Sequence, residues 1–181
     1  CRQFRSFKHQ GIEVRVAVNL SAQQLRHEAL PSVVRGALAC FSLDPSDLEL
    51  EITESTAMQN PELTVRILEQ LSGMGIILAI DDFGTGYSSL AYLKALPLAY
   101  LKIDSWLAQD IAGSTRDRIV VRGVIDMARA LGLAVIAEGV ETEEQLSLLA
   151  REGCNYYQGF LCSEAVTSDR LEQLMESWTI T

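Results

Sequence analysis

Histidine is nearly missing from this sequence, cysteine is sparse and positive charge is in deficit, and each shortage removes a class of function. Only His9 and His27 occur, and the four cysteines, Cys1, Cys40, Cys154 and Cys162, show no Cys-x-x-Cys spacing. A zinc centre of His and Cys therefore lacks ligands, and a chain this long is no small disulfide scaffold. The cysteines read as free thiols in a reducing compartment, and both histidines as surface residues. Fifteen Lys and Arg against 24 Asp and Glu give a formal net charge of −9. That balance excludes non-specific binding of DNA or RNA, which needs basic surface to displace phosphate counterions. An anionic ligand would have to meet local cations or metals. No apolar run approaches the roughly 18 residues of a membrane span, and no charged–apolar–small pattern marks a signal peptide. The expectation is a soluble, cytoplasmic domain with no membrane crossing in this segment.

What is present is enough apolar material for one core. The 181 residues are 48% hydrophobic and 22% charged, with no linker or low-complexity tract, so residues 1–181 read as a single domain. The first residue is Cys rather than Met, and the opening CRQFRSFKHQG reads as the tail of a helix begun upstream. An N-terminally truncated domain is expected. Carboxylates and amides are the plentiful ligands, so a catalytic metal would be a hard ion, Mg²⁺ or Mn²⁺.

The chain repeats one unit: a short apolar strand, a polar loop, an amphipathic helix and a turn. Strands are expected at Val14–Asn19, Leu48–Thr53, Ile76–Ile80, Tyr100–Ile103, Leu133–Glu138 and Tyr156–Phe160. Helices are expected at Pro31–Phe41, Pro61–Leu71, Ser88–Leu96, Thr115–Leu131, Glu143–Arg151 and Ser168–Trp178. Ser21 with Gln24 and Thr142 with Gln145 have capping-box spacing, and Asn60-Pro61 is a cap followed by a first-turn proline. This alternation predicts a parallel α/β fold, either doubly wound or a (β/α)₈ TIM-type barrel. Side-chain parity favours the barrel. Asn19, Glu51, Asp81, Lys102, Glu138 and Gln158 each stand at or near a strand's C-terminal end, and convergence of many strand ends on one mouth is how a barrel builds a site. About the last six β/α units would be present. The same parity turns Ala17, Ala79, Tyr100 and Ile136 inward and Val16, Leu50, Leu78 and Val135 toward the helices. Arg15 and Glu49 would also point inward, where each charge needs a partner, so the two are expected to pair.

The stretch GIILAIDDFGTGYSSL, Gly75 to Leu90, concentrates the chemistry. An apolar strand ends in adjacent carboxylates, Asp81 and Asp82, followed by a loop with Gly84 and Gly86. Adjoining acids repel and lose hydration at a strand end, which a shared cation would relieve; a polar Asx turn is the plain alternative. Plain readings exist for the others too. Asn19 could be an N-cap, Glu51 and Glu138 ion-pair members, Gln158 a partner for buried backbone, and Lys102 a salt-bridge partner of Asp104 or Asp81.

Six segments in order resemble one family: Asn19-Leu20-Ser21, Glu51-Ile52-Thr53-Glu54, Asp81 to Leu90, Lys102-Ile103-Asp104, Ala137 to Thr142 and Gln158-Gly159-Phe160. On these the chain resembles the EAL family of cyclic di-GMP phosphodiesterases. The resemblance implies a (β/α)₈-like barrel with a modified first strand direction, two Mg²⁺ or Mn²⁺ ions per site, and hydrolysis of cyclic di-GMP to linear pGpG. By position it implies that Asn19, Glu51 and Asp81 bind one metal, and that Asp81 bridges to a second held by Asp82 and Glu138. Lys102 would orient the attacking water, with Asp81 and Glu138 also catalytic. Gln158 and Glu141 would serve the substrate, and Glu54 would steady the loop carrying Phe83, Gly84, Thr85 and Gly86. Two metals suit a phosphodiester, since they screen its charge, activate water and stabilise the leaving alkoxide. A non-catalytic cyclic di-GMP receptor is the second reading.

The family's naming tripeptide belongs upstream of Asn19, so its metal-binding Glu is expected before Cys1. The literal Glu28-Ala29-Leu30 follows Asn19 in a helix–loop region and reads as coincidence. Ala99, Ser105 and the run Cys162-Ser163-Glu164-Ala165 depart from the family pattern beside the mouth. An attached sensor or GGDEF domain upstream is implied. A barrel missing its first strands leaves Val14–Asn19 and the strand near Tyr157 as unpaired edges, so this chain alone is expected to form a homodimer and to be nearly inactive.

Overall fold

In a computed structural model, which describes residues 2–12, 14–84 and 90–178, strands and helices alternate as the apolar periodicity requires. In chain order they are α1 (Arg2–His9), β1 (Val16–Asn19), α2 (Ala22–Leu25), α3 (Leu30–Phe41), a 3₁₀ turn (Pro45–Asp47), β2 (Leu48–Thr53), α4 (Glu54–Ala57), α5 (Pro61–Ser72), β3 (Ile77–Phe83), α6 (Leu90–Leu93), β4 (Tyr100–Ile103), α7 (Ser105–Gln109), α8 (Thr115–Ala130), β5 (Ala134–Ala137), α9 (Glu143–Glu152), β6 (Tyr156–Tyr157) and α10 (Ser168–Trp178). Their starts are chemically set. Ser21 with Gln24 and Thr142 with Gln145 form complete capping boxes, and the Asn60 side chain accepts from the Leu63 N–H with Pro61 opening α5.

The strands form one six-stranded sheet in the order β1-β2-β3-β4-β5-β6, every neighbour parallel. A doubly wound sheet reverses its order at a switch point; this one never does. Right-handed crossovers between sequential parallel strands carry every helix to the same face, which curls the sheet as in a barrel. The architecture is therefore a partial (β/α)₈ barrel. On the helix face, Leu50, Leu78, Ile80, Leu101, Ile103 and Val135 are buried against Leu68, Leu71, Val121, Ile125 and Leu149. On the concave face, beside the small Ala79, the buried side chains are polar: Glu49, Glu51, Asp81 and Lys102.

Parity and pairing follow the sequence. Val16 and Val18 border an apolar cleft of about 260 Å³ shared with Phe4, Leu30, Leu38 and Leu50, which leaves Ala17 on the concave face. The Arg15 guanidinium lies 3.6 Å from the Glu49 carboxylate, as expected, with Arg15 still 40% exposed because it precedes the edge strand. His27 is exposed, while the side chain of His9 lies outside the described residues. Cys40, Cys154 and Cys162 are free thiols, and Cys1 lies outside the described residues. Glu28 is on the surface, 82% exposed and 3.8 Å from Arg66, far in character from a strand end.

Several boundaries differ from expectation. β1 begins at Val16 rather than Val14, β5 stops at Ala137 rather than Glu138, and β6 contains only Tyr156 and Tyr157 of the expected five. β3 does not end before the acids but continues through them to Phe83. Only Leu90–Leu93 of the helix expected at Ser88–Leu96 is present, with Ser88 and Ser89 outside the described residues. No helix among the described residues is long and apolar enough to cross a membrane.

Candidate active site

The concave face carries its acids toward the C-terminal ends of the strands, and a single buried ammonium gathers three of them. Lys102 Nζ, from β4, lies 2.7 Å from Glu51 on β2, 2.6 Å from Glu138 just beyond β5, and 3.4 Å from Asp81 on β3. Alternation puts Tyr100 and Lys102 on this face and Leu101 in the core, so the placement follows from strand parity. Burial works against the charge of Lys102, but hydrogen bonds to Glu138 and Glu51 and the charges of Glu138 and Asp81 outweigh it and raise its pKa. These acids thus hold Lys102 as a cation and a donor. The plain reading of Lys102 as a partner of Asp81 is met, but Asp104 is engaged elsewhere: it caps α7 by accepting from the Trp106 N–H and lies against Asp82.

Adjacent residues of a regular strand face opposite ways, so Asp81 and Asp82 could not share a ligand without a defect. β3 supplies one. Its register against β4 shifts between Ile80 and Phe83, and Asp82 takes φ 53°, a left-handed conformation that costs a non-glycine residue about 1–3 kcal/mol. Carboxylate oxygens of Asp81, Asp82 and Glu138 consequently all lie within 4.8 Å of one another. Burial first, then the charges of Asp81 and Asp104, push the Asp82 carboxyl above its usual range. Glu138 is likewise raised, chiefly by burial, although Lys102 opposes the shift. Glu49, beneath Glu51, is raised by burial and by the Glu51 charge against the pull of Arg15. A crowded, all-oxygen cluster in which Asp82 and Glu138 are raised, chiefly by burial, fits a hard divalent cation, which would be held by Asp81, Asp82 and Glu138.

The other expected residues divide. Glu54 is buried and its carboxylate accepts the Gly84 N–H at 3.2 Å, which ties the start of the loop after β3 to α4. Phe83 is buried, and Gly84, at φ 103°, holds a left-handed backbone that disfavours a side chain, with Leu107 Cδ1 only 2.5 Å from where a Cβ would stand. Thr85 and Gly86 lie outside the described residues. Asn19 stands in register with Glu51 at the exposed end of β1. Gln158 follows β6 and is exposed; its carbonyl accepts the Val140 N–H at 3.1 Å. Glu141 is exposed, with its N–H donated to the capping Gln145 side chain. Asp104 is the acid that the sequence reading left without a site role. The strand-end rule that singled out Asp81 applies to it equally, since it directly follows β4.

The geometry agrees with a family model described as the EAL domain, which matches residues 1–165. The chain belongs to the EAL domain family. This EAL chain is 48% identical over 172 residues to MucR of Pseudomonas aeruginosa, named a bifunctional diguanylate cyclase/cyclic di-GMP phosphodiesterase, covering 94% of this chain and 25% of MucR. The chain thus spans about a quarter of the length of the curated relatives it matches. A solved cyclic di-GMP complex of the MucR phosphodiesterase superposes with a TM-score of 0.89, over 94% of this chain and 70% of that one. The EAL domain of Mycobacterium smegmatis DcpA, 38% identical, gives 0.91 over 97% and 79%. A manganese and cyclic di-GMP complex of Klebsiella pneumoniae BlrP1, 32% identical, gives 0.80 over 89% and 42%.

Proposed function

We propose that this EAL domain, within its full-length protein, hydrolyses cyclic di-GMP to linear pGpG. The observation that carries the reading is the convergence of Asp81, Asp82 and Glu138 beside the buried Lys102, on a domain whose relatives include named phosphodiesterases. Mg²⁺ or Mn²⁺, two per site, held by Asp81, Asp82 and Glu138 with Asn19 and Glu51 alongside, would supply neutralisation of the phosphodiester charge and acidity for the attacking water. The chain's own groups do the rest. Lys102 donates from a fixed point, and its longest contact, 3.4 Å to Asp81, is the one that a water oxygen would replace. Glu138, next to that ammonium, would take the proton that the water loses. The water oxygen bonds to phosphorus, the bond to the ribose 3′ oxygen breaks in line, and the proton ends on that oxygen. Glu54 holds the loop at Gly84, while Gln158 and Glu141, at the rim, would contact the dinucleotide.

The test is product formation by the full-length protein. Cyclic di-GMP should become pGpG only with Mg²⁺ or Mn²⁺, and no product over hours at high enzyme would sink the proposal. Binding measured with Ca²⁺ but no turnover with Mg²⁺ would instead establish a receptor.

Free Cys40, Cys154 and Cys162 support a reducing, cytoplasmic setting. The pairing of cyclase and phosphodiesterase in MucR's name supports an attached GGDEF or sensor domain. Taken alone, the 181-residue chain is expected to form a homodimer, since Val18 at one sheet edge and Tyr156 at the other are 42% and 55% exposed. A monomer by light scattering at high micromolar concentration would refute that last point.

A further inference from the structure

A relay of three side chains crosses the concave face from one edge of the sheet to the other, one layer below the acid cluster. Arg15, just before β1, donates from Nη1 to the Tyr100 hydroxyl at 3.0 Å and from Nε to the Ser46 carbonyl at 3.3 Å. Its guanidinium carbon lies 5.7 Å from the Tyr100 ring centroid. The Tyr100 ring, on β4, meets the Tyr156 ring, on β6, edge to face at 5.9 Å and 81°. Tyr100 stands two residues before Lys102 on the same face of the same strand.

Ladder hydrogen bonds join only neighbouring strands, so they leave the local curvature across several strands some freedom. Contacts that skip strands remove that freedom. Arg15 to Tyr100 passes over β2 and β3, and Tyr100 to Tyr156 passes over β5. The layer above depends on the same curvature, because Lys102 on β4 reaches Glu51 on β2 across β3. As an ion pair the Arg15–Glu49 contact contributes little, with Arg15 at 40% exposure. Its geometric role is larger than its energy.

We propose that Arg15, Tyr100 and Tyr156 are positioning residues: a brace that sets the sheet curvature at which Glu51, Asp81 and Glu138 converge on Lys102. None of the three touches a reacting atom. The inference rests on the hydrolytic reading above for its kinetic readout, and on metal binding for an independent one. Displacements of about 1 Å in a reacting constellation cost up to about a hundredfold in rate, so a partial loosening should be visible in kcat without loss of the fold.

The experiment compares the full-length protein with Tyr100→Phe, Arg15→Met and the double variant, measuring kcat, KM, Mn²⁺ affinity by EPR titration and the thermal midpoint. Tyr100→Phe keeps the ring and its contact with Tyr156 and deletes only the hydroxyl. Each single variant should lower kcat by about five- to tenfold with KM within about twofold, and weaken Mn²⁺ binding by a similar ratio. The double variant should be no worse than Arg15→Met alone, since the contact deleted by Tyr100→Phe is among those that Arg15→Met already removes. Unchanged kcat and Mn²⁺ affinity in Tyr100→Phe, or losses that multiply in the double variant, would overturn the brace. If the wild type binds Mn²⁺ but yields no pGpG, the hydrolytic reading fails and the Mn²⁺ titration alone decides the brace. A wild type that binds no Mn²⁺ would overturn both.

Discussion

Lys102→Met keeps the length and apolar stem of the side chain and deletes its ammonium. Glu51, Asp81 and Glu138, whose side chains are 7%, 12% and 20% exposed, then lose partners at 2.7, 3.4 and 2.6 Å. Stripping one member from a buried ion-pair set costs about 3–5 kcal/mol, because the remaining charges stay desolvated and uncompensated. For a domain of this size about 2–4 °C of midpoint accompanies each kcal/mol, so the variant should melt roughly 6–20 °C below wild type at neutral pH. The pH dependence has a definite sign. In the wild type the folded pKa of Lys102 is raised, so its contribution is fully present below the unfolded lysine pKa and is lost only as pH rises through the folded value. In the variant Glu138, already raised by burial, loses the ammonium that opposed that shift and rises further. A raised acid binds more protons folded than unfolded, so stability falls as pH climbs from the ordinary carboxylate range through the raised one. The deficit should therefore be small near about pH 4.5 and complete at neutral pH. Urea unfolding of both proteins across that range measures it. A deficit under about 1 kcal/mol at neutral pH, or one indifferent to acid, would refute the account of Lys102 as the counter-charge of this face.

Two other substitutions probe the site's surroundings. Asp81→Asn retains an acceptor for the Asp82 N–H, now 3.0 Å from Asp81 Oδ1, and Lys102 keeps its two shorter partners, so stability should hold or rise while hydrolysis disappears; turnover within a few-fold of wild type would remove Asp81 from the chemistry. Gly159→Ala would set a Cβ 2.2 Å from the Val140 carbonyl oxygen and 2.4 Å from its nitrogen, backbone that cannot yield without breaking the Val140–Gln158 and Leu161–Val140 hydrogen bonds. A loss of about 2–3 kcal/mol in thermal or urea unfolding is expected, and a neutral change would show that the two loops are not clamped.

The elements with strong local signals were legible in the chain itself. β2, β4 and α10 have the boundaries that apolar runs and turn residues predict, and the parity of β2 to β5 correctly turned Glu51, Asp81 and Lys102 to one face. Short helices left little trace. α4 and α7 span four and five residues, less than two turns, so no periodicity betrays them; only Thr53 and Asp104, whose side chains cap them, carried a hint. The bulge in β3 was not legible, because Ile80 to Phe83 reads as an ordinary strand end. It exists through pairing with β4, and without it the Asp-Asp pair would present opposite faces. Gln158 was placed at the mouth by its strand-end position, and its exposed side chain shows how little parity says about a residue beyond a two-residue strand; Glu141, four residues beyond β5, was placed by motif and is also exposed.

The unreversed strand order also dictates how this molecule can assemble. Each strand pairs only with the strands before and after it in sequence, so no pairing has to wait for a distant part of the chain. β3, flanked on both sides and carrying the most buried strand interior, is the natural nucleus, from which one βα unit after another can be added outward. Opening should run the opposite way, with β3 exchanging its amide hydrogens last. Asp81 therefore sits on the most protected of the six described strands, with Lys102 on the strand beside it, so the fold holds the centre of the acid cluster most firmly.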